Sequence, residues 1–231
     1  CMTNLMCAIE AGDALEVARR IRNCRINDPT TIDDVDEHGW SPMLLACYDG
    51  HDGMVKELLD TGAAPTMVFR IVDTRTKGKC HIDENAPLRA AAMGGHDAVV
   101  AHLLAHGAAP GDGSSFTSPL HCAAEGCYLR IFQLLCSYGA VPYAWYPGLG
   151  SNCDQLHKIE AMVQWIEESR DWTTPLHHLC VLDEARTRVL LRDGADVHAC
   201  VRPGAPTPLS LAAGTDGAAA RLVRDAAAPW S

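Results

Sequence analysis

The chain has 231 residues, with 19 Lys and Arg against 29 Asp and Glu, for a formal net charge of −10. That acidic balance argues against the phosphate backbone of a nucleic acid, or an anionic membrane surface, as the main partner. Apolar residues supply 48% of the chain but aromatic ones only 6%, so the core is expected to be built of small and aliphatic side chains, which suit helices best.

From the N-terminus, N-L-M-C-A-I-E-A-G-D at Asn4, with Leu15, Val17 and Ile21 beyond it, reads as a degenerate helical cap over residues 1–32. Five later segments share one template: S-P-M-L-L-A at Ser41, A-P-L-R-A-A at Ala86, S-P-L-H-C-A at Ser118, T-P-L-H-H-L at Thr174 and T-P-L-S-L-A at Thr207. Their prolines, Pro42, Pro87, Pro119, Pro175 and Pro208, are 45, 32, 56 and 33 residues apart. Two intervals thus lie near 33 and two carry additions. Gly62, Gly107 and Gly139, each followed by Ala, lie twenty residues after the first three prolines, and Gly194 with Ala195 lies nineteen after Pro175. A single domain over 1–231 is expected, with repeats at 33–65, 83–110, 112–141 and 169–198, a degenerate last copy at 202–231, and insertions at 66–82 and 142–168.

Each copy has a physical logic of its own. Proline in the first helical turn sacrifices no hydrogen bond, and a preceding Ser or Thr caps the exposed amides, so S/T-P-L starts a helix. Ala46, Ala91 and Ala123 let that helix approach its neighbours closely. In the second helix, Val55, Leu58 and Leu59, or Val99, Val100, Leu103 and Leu104, fall at helical spacing and bury one stripe. The glycines above then supply the left-handed residue that ends it. One helix pair cannot cover its own apolar face, so the pairs are predicted to stack.

The first insertion, M-V-F-R-I-V-D-T-R-T-K-G-K-C-H-I-D, places two β-rich stretches around Gly78 and reads as an elongated hairpin. It carries Arg70, Arg75, Lys77 and Lys79, a basic tip on an acidic protein. The second begins V-P-Y-A-W-Y-P-G-L-G, which presents Tyr143, Trp145 and Tyr146 in an irregular loop. An amphipathic helix of roughly four turns is predicted after Ser151, its stripe formed by Leu156, Ile159, Val163 and Ile166 with Met162 and Trp165 beside it.

The pattern of T-P-L-H, then A-A, then G-H, then an apolar helix, then G-A resembles the ankyrin repeat over most of the chain. Cys127 stands where the mid-repeat glycine is expected, Asp183 does so in the fifth copy, and the last copy dissolves into an Ala-rich tail ending A-P-W-S. The resemblance implies an all-α repeat solenoid of stacked helix-turn-helix units with β-hairpin fingers, one elongated hairpin insertion and one extra helix. It also implies a protein partner, bound by the turn before T-P-L-H and by the exposed face of the first helix. Carried onto this sequence, that surface comprises Asp36, Glu37, His38, Trp40, Tyr48 and Asp49, then Asp83, Asn85 and Met93, then Ser114, Phe116 and Glu125, then Arg170, Asp171, Trp172, Val181 and Leu182. Arg75, Lys77 and Lys79 on the hairpin, and Trp145 and Tyr146 in the loop, are further candidates.

Catalysis finds no footing in the pattern. His102 and His106 lack the glutamate of H-E-x-x-H, while His177, His178 and Cys180 overlap the helix-start motif. Cys153 with His157, and His198 with Cys200, are isolated pairs. His121 and His177 fill the template's own histidine position, where a hydrogen bond orders the turn. Phosphate-binding loops and nucleophile elbows are missing too. No enzyme, metal or cofactor is expected. The 11 cysteines include no C-x-x-C pair, which predicts buried free thiols in a reducing, intracellular compartment. That compartment is cytoplasmic, or organellar if a targeting segment has been removed upstream of Cys1. No apolar run is long enough to span a membrane. The expected role is a protein-interaction module, monomeric alone or present in one copy in a hetero-complex, which does not bind nucleic acid or insert into membranes. The competing role is a fixed accessory subunit docked through its two insertions.

Overall fold

The computed structural model describes residues 2–27, 33, 35, 36, 39–66, 69–73, 79–83, 85–111, 118–141, 149, 150 and 152–228. The chain divides into two compact units, Cys1–Ala123 and Ala124–Ser231, the division falling inside one short helix.

The first unit contains α1 (Met2–Glu10), α2 (Ala14–Asn27), α3 (Pro42–Asp49), α4 (Asp52–Asp60), β1 (Phe69–Asp73), β2 (Lys79–Asp83), α5 (Ala86–Gly94) and α6 (Asp97–Ala105), and it runs into α7 (Pro119–Glu125). Its helices stack in two rows. α3 packs between α1 and α5, while α4 packs between α2 and α6. Proline opens α3, α5 and α7. The Ser41 hydroxyl accepts the Leu44 amide at 3.1 Å and the Ser118 hydroxyl accepts that of His121 at 3.1 Å, so the expected caps form. Val55, Leu58, Leu59, Val99, Val100, Leu103 and Leu104 are all buried, and Ala46, Ala91 and Ala123 are completely so. α1 contributes Leu5 and Ile9 to its core and α2 contributes Val17 and Ile21, whereas Leu15, expected among them, is 84% exposed. β1 and β2 pair antiparallel from Phe69 opposite Asp83 to Asp73 opposite Lys79.

The turn between paired helices depends on a left-handed residue. Gly50 has φ +75°, and a Cβ there would stand 2.4 Å from the His96 ring. The ring therefore needs a glycine beside it, and it uses the space to donate from Nε2 to the Tyr48 carbonyl at 3.1 Å. In the next copy but one the same position is Cys127, which adopts φ +51° despite its side chain. Asp183, at the corresponding place in the fifth copy, departs from this conformation. With φ −84° it instead caps α10, its carboxylate accepting the Arg186 amide at 2.7 Å.

The second unit contains α8 (Leu129–Ser137), α9 (Leu156–Glu168), a single 3-10 turn at Pro175–His177, α10 (Glu184–Arg192), α11 (Pro208–Ala213) and α12 (Ala218–Ala227). The 3-10 turn is shorter than the helix that T-P-L-H predicts. Where the other copies place Ala46, Ala91, Ala123 and Ala212, each fully buried, this one has Leu179. An isobutyl group cannot enter the space a methyl fills, so the chain leaves the helix after one turn and buries Leu176, Leu179 and Leu182 together with Val197. α9 also rotates from its predicted stripe. Met162 and Trp165 are buried while Leu156 is 68% and Val163 39% exposed, because the large indole claims the inward position. The Ala-rich tail is a true helix, α12, which buries Ala219, Ala220 and Val223. Arg224 ties it to the carbonyls of Ala212 and Thr215.

Candidate functional site

In the first unit the candidate surface starts with a tight turn. The Asp36 amide donates to the Trp40 carbonyl at 2.9 Å, and the Trp40 amide donates back to the Asp36 carboxylate at 2.8 Å. This fixes Trp40 just before α3, where its half-buried ring packs against Leu44, Ala86 and Ala90. Tyr48, near the end of α3, meets it edge to face with centroids 5.6 Å apart and planes at 84°. Tyr48 is 49% exposed and Asp49 is exposed beside it in sequence. Met93, six residues after its proline as Tyr48 is after its own, is 47% exposed. The structure thus brings Asp36, Trp40 and Tyr48 into one contact chain, with an aromatic corner open to solvent. Asn85 precedes α5, and Asp83 and Lys79 occupy the two ends of β2. Glu37, His38, Arg75, Lys77, Ser114, Phe116, Trp145 and Tyr146 lie outside the described residues.

In the second unit the candidates separate. Glu125 is half-buried at the end of α7 and its carbonyl accepts the Asn152 amide at 3.1 Å. Arg170 is exposed after α9, and Asp171 pairs with Arg202 at 2.7 Å. Trp172 is half-buried in a ring cluster. It meets Trp165 at 5.8 Å and His178 at 5.2 Å, both edge to face, and stacks on His177 at 6.5 Å. Trp165 also contacts Phe132 edge to face at 5.7 Å. Val181 is half-buried, whereas Leu182, expected at the surface, belongs to the apolar core.

Two members of this cluster, Trp165 and His178, are not singled out by the sequence. Trp165 stands beside the predicted stripe of α9, and His178 is absorbed into the helix-start motif. The adjacent histidines of T-P-L-H-H-L are the available signal. His177 accepts at Nδ1 from the Thr174 amide at 3.2 Å and donates from Nε2 to the Pro206 carbonyl at 3.2 Å, bridging two successive turns. Burial lowers its pKa, and burial together with the neighbouring His177 lowers that of His178 to about 4. Both rings are therefore neutral packing groups at neutral pH. The indole N–H groups of Trp165 and Trp172 and Nδ1 of His178 are buried without hydrogen-bond partners among the described residues.

Little here favours chemistry. Burial pushes the thiols of Cys47 and Cys136 far above their ordinary range, so they act as small apolar side chains. Among the described residues no three His, Cys, Asp or Glu side chains gather as a metal ion requires. No helix of the described residues is long and apolar enough to cross a membrane.

These features agree with what the chain resembles. The model of three ankyrin repeat copies matches residues 65–144, and that of the single ankyrin repeat matches residues 38–68. Among curated proteins, none matches this sequence significantly. Of solved structures, the human ASB11 ankyrin repeat domain is similar in fold, with a TM-score of 0.53 and 20% identity over 98% of this chain and 99% of that one. Ankyrin repeats generally serve as protein–protein interaction modules and are typically not catalytic. With stacked proline-started helix pairs, capped turns and the histidine seated between glycines all in place, the chain is an ankyrin repeat protein.

Proposed function

We propose that this chain is a non-catalytic adaptor that binds a protein partner through the surface around Trp40 and Tyr48. The observation that carries this reading is the open aromatic corner, in which a half-buried indole anchors a tyrosine that is half exposed. Rings of this kind, rimmed by polar groups such as Asp36 and Asp49, are what binding hot spots consist of. Met93 extends the surface along the next repeat. Glu37, His38, Phe116, Glu125, Arg170 and Trp172 belong to the same proposed series of turn and first-helix positions, within the repeat boundaries 33–65, 83–110, 112–141 and 169–198. The adaptor is a monomer alone.

The test is direct. A partner recovered by crosslinking and pull-down is titrated against the wild-type chain, Trp40→Ala and Tyr48→Ala. Each substitution is expected to weaken binding by more than about 1 kcal/mol, with urea midpoints showing that Tyr48→Ala stays folded. Affinities unchanged in both variants overturn this reading.

A second reading is favoured by a different observation. Leu156 and Val163, two turns apart on one side of α9, are exposed apolar residues on an insertion the repeat does not need. They suit a fixed accessory subunit docked through its insertions, the second of which also carries Trp145 and Tyr146 in its sequence. Co-purification that survives high salt and is lost in Leu156→Asp supports this reading over the first.

A further inference from the structure

The loop that leads into α9 is clamped onto the end of α7. The Gly150 amide donates to the Ala124 carbonyl at 3.1 Å, the Asn152 amide to the Glu125 carbonyl at 3.1 Å, and the Cys153 amide to the Gly150 carbonyl at 3.0 Å. Gly150 makes the close approach possible, since a Cβ there would lie 3.3 Å from the Cys127 sulfur and 2.8 Å from Ile159. The clamp places two free thiols together. Cys127, 3% exposed, donates its thiol to the Ala124 carbonyl at 3.8 Å, and half-buried Cys153 donates its own to the Gln155 carbonyl at 3.7 Å; both residues lie against Gly150, near enough for the Cys153 thiol to hold the Cys127 proton more tightly. They are 26 positions apart in sequence and come from different parts of the repeat array, so the contact is made by the insertion alone.

We propose that Cys127 and Cys153 form a dithiol modification site that exchanges with a low-molecular-weight disulfide such as glutathione disulfide. Cys153 is the entry point because solvent reaches it, while burial and the neighbouring thiol hold the Cys127 proton up to about 11. The Cys153 thiolate, its proton released to water, attacks one sulfur of the glutathione disulfide. That S–S bond breaks, one glutathione thiolate leaves, and Cys153 carries a mixed disulfide. Cys127 then loses its proton to water and attacks the Cys153 sulfur, expelling the second glutathione thiolate and closing the Cys127–Cys153 bond. Two cysteine thiols are oxidised, one glutathione disulfide is reduced to two glutathiones, and the protons released by the cysteines end on the departing thiolates. The new bond adds a covalent tie between the entry to α9 and the turn joining α7 to α8. Cys47 and Cys136 lack any such route, being sealed in the core.

The test incubates the folded full chain with defined mixtures of reduced and oxidised glutathione, quenches with acid, alkylates the remaining thiols and digests with trypsin. Linked peptides 90–130 and 131–158 are expected, with fragment ions assigning the bond to Cys127 and Cys153. Cys127→Ser is expected to stop at a glutathione adduct on Cys153, and Cys153→Ser to lose the linked peptides altogether. The oxidised wild-type chain is expected to melt at a higher temperature than the reduced one. Exposed Cys200 serves as the positive control. If Cys200 takes up glutathione while no Cys127–Cys153 bond forms at any ratio, or if the linked peptides persist in Cys153→Ser, the proposal is overturned.

Discussion

His178 illustrates how a residue that titrates near neutrality becomes part of a core. Its ring, 5% exposed, lies against Trp165 and Trp172, and burial holds its pKa at about 4 in the folded chain against an ordinary 6.5. The unfolded chain binds a proton below about pH 6.5 that the folded chain refuses. Stability from this group is therefore complete above pH 6.5 and is lost as pH falls toward 4, by about 3 kcal/mol over the whole window. His177 shifts in the same direction and adds to the loss. We expect the urea midpoint of the wild-type chain to fall between pH 7.5 and 4.5, and that of His178→Phe to fall less. Equal falls in the two proteins would show that His178 is not the titrating group. Leu179 makes a companion case, where one side chain too large for an alanine's place shortens a helix to a single turn.

At the scale of elements, the junction between α3 and α4 decides whether a helix pair closes. Gly50 ends α3 with φ +75°, donates its amide to the Ala46 carbonyl and leaves room for the His96 ring that reaches the Tyr48 carbonyl. Gly53, three residues on, lies inside α4, where an added methyl would meet nothing within 4 Å. The two glycines should respond oppositely to the same change. Gly50→Ala combines an unfavourable φ with a 2.4 Å clash and is expected to cost more than about 2 kcal/mol. Gly53→Ala gains helix propensity on an exposed face and is expected to stabilise by about 0.5–1 kcal/mol. Urea titration of the two variants checks both signs, and a destabilising Gly53→Ala would contradict the register of α4. The insertion helix α9 follows the same logic of faces: its inward side is set by Trp165, the largest available ring, rather than by the evenly spaced Leu156 and Val163.

For the molecule as a whole, charge is the property that speaks most directly to association. The net charge is −10, yet the segment between β1 and β2 and its flanks carry Arg70, Arg75, Lys77 and Lys79, two of the chain's four lysines among them. A basic stretch on an acidic chain steers an acidic partner through its field and acts mainly on the association rate. The triple change Arg75→Glu, Lys77→Glu, Lys79→Glu is expected to slow association with the partner at least several-fold at low salt while leaving the thermal midpoint within a few degrees. The difference is expected to shrink as salt is raised, because dissolved ions screen long-range attraction between charges. Stopped-flow rates that do not respond to the triple change would show that these charges do not steer association, leaving the proposed surface around Trp40 and Tyr48 and the proposed α9 insertion as candidates.

Local regularities were legible in the sequence because each is set by a few neighbouring residues. Proline with a preceding hydroxyl starts α3, α7 and α11, and the apolar stripes of α4 and α6 follow from spacing alone. The pairing of β1 with β2 was likewise written in two β-rich stretches around a turn-former. What the sequence left undecided were choices between side chains competing for one space. Leu179 against the alanine template, Trp165 against Leu156 and Val163, and the packing of His178 between two indoles depend on volumes supplied by residues far away in the chain. The Cys127–Cys153 contact belongs to the same class. Neither cysteine carries a local signal, and only the hydrogen bonds of Gly150 and Asn152 to the end of α7 bring both residues to the same glycine, since backbone hydrogen bonds between distant segments are formed by tertiary structure and not by spacing.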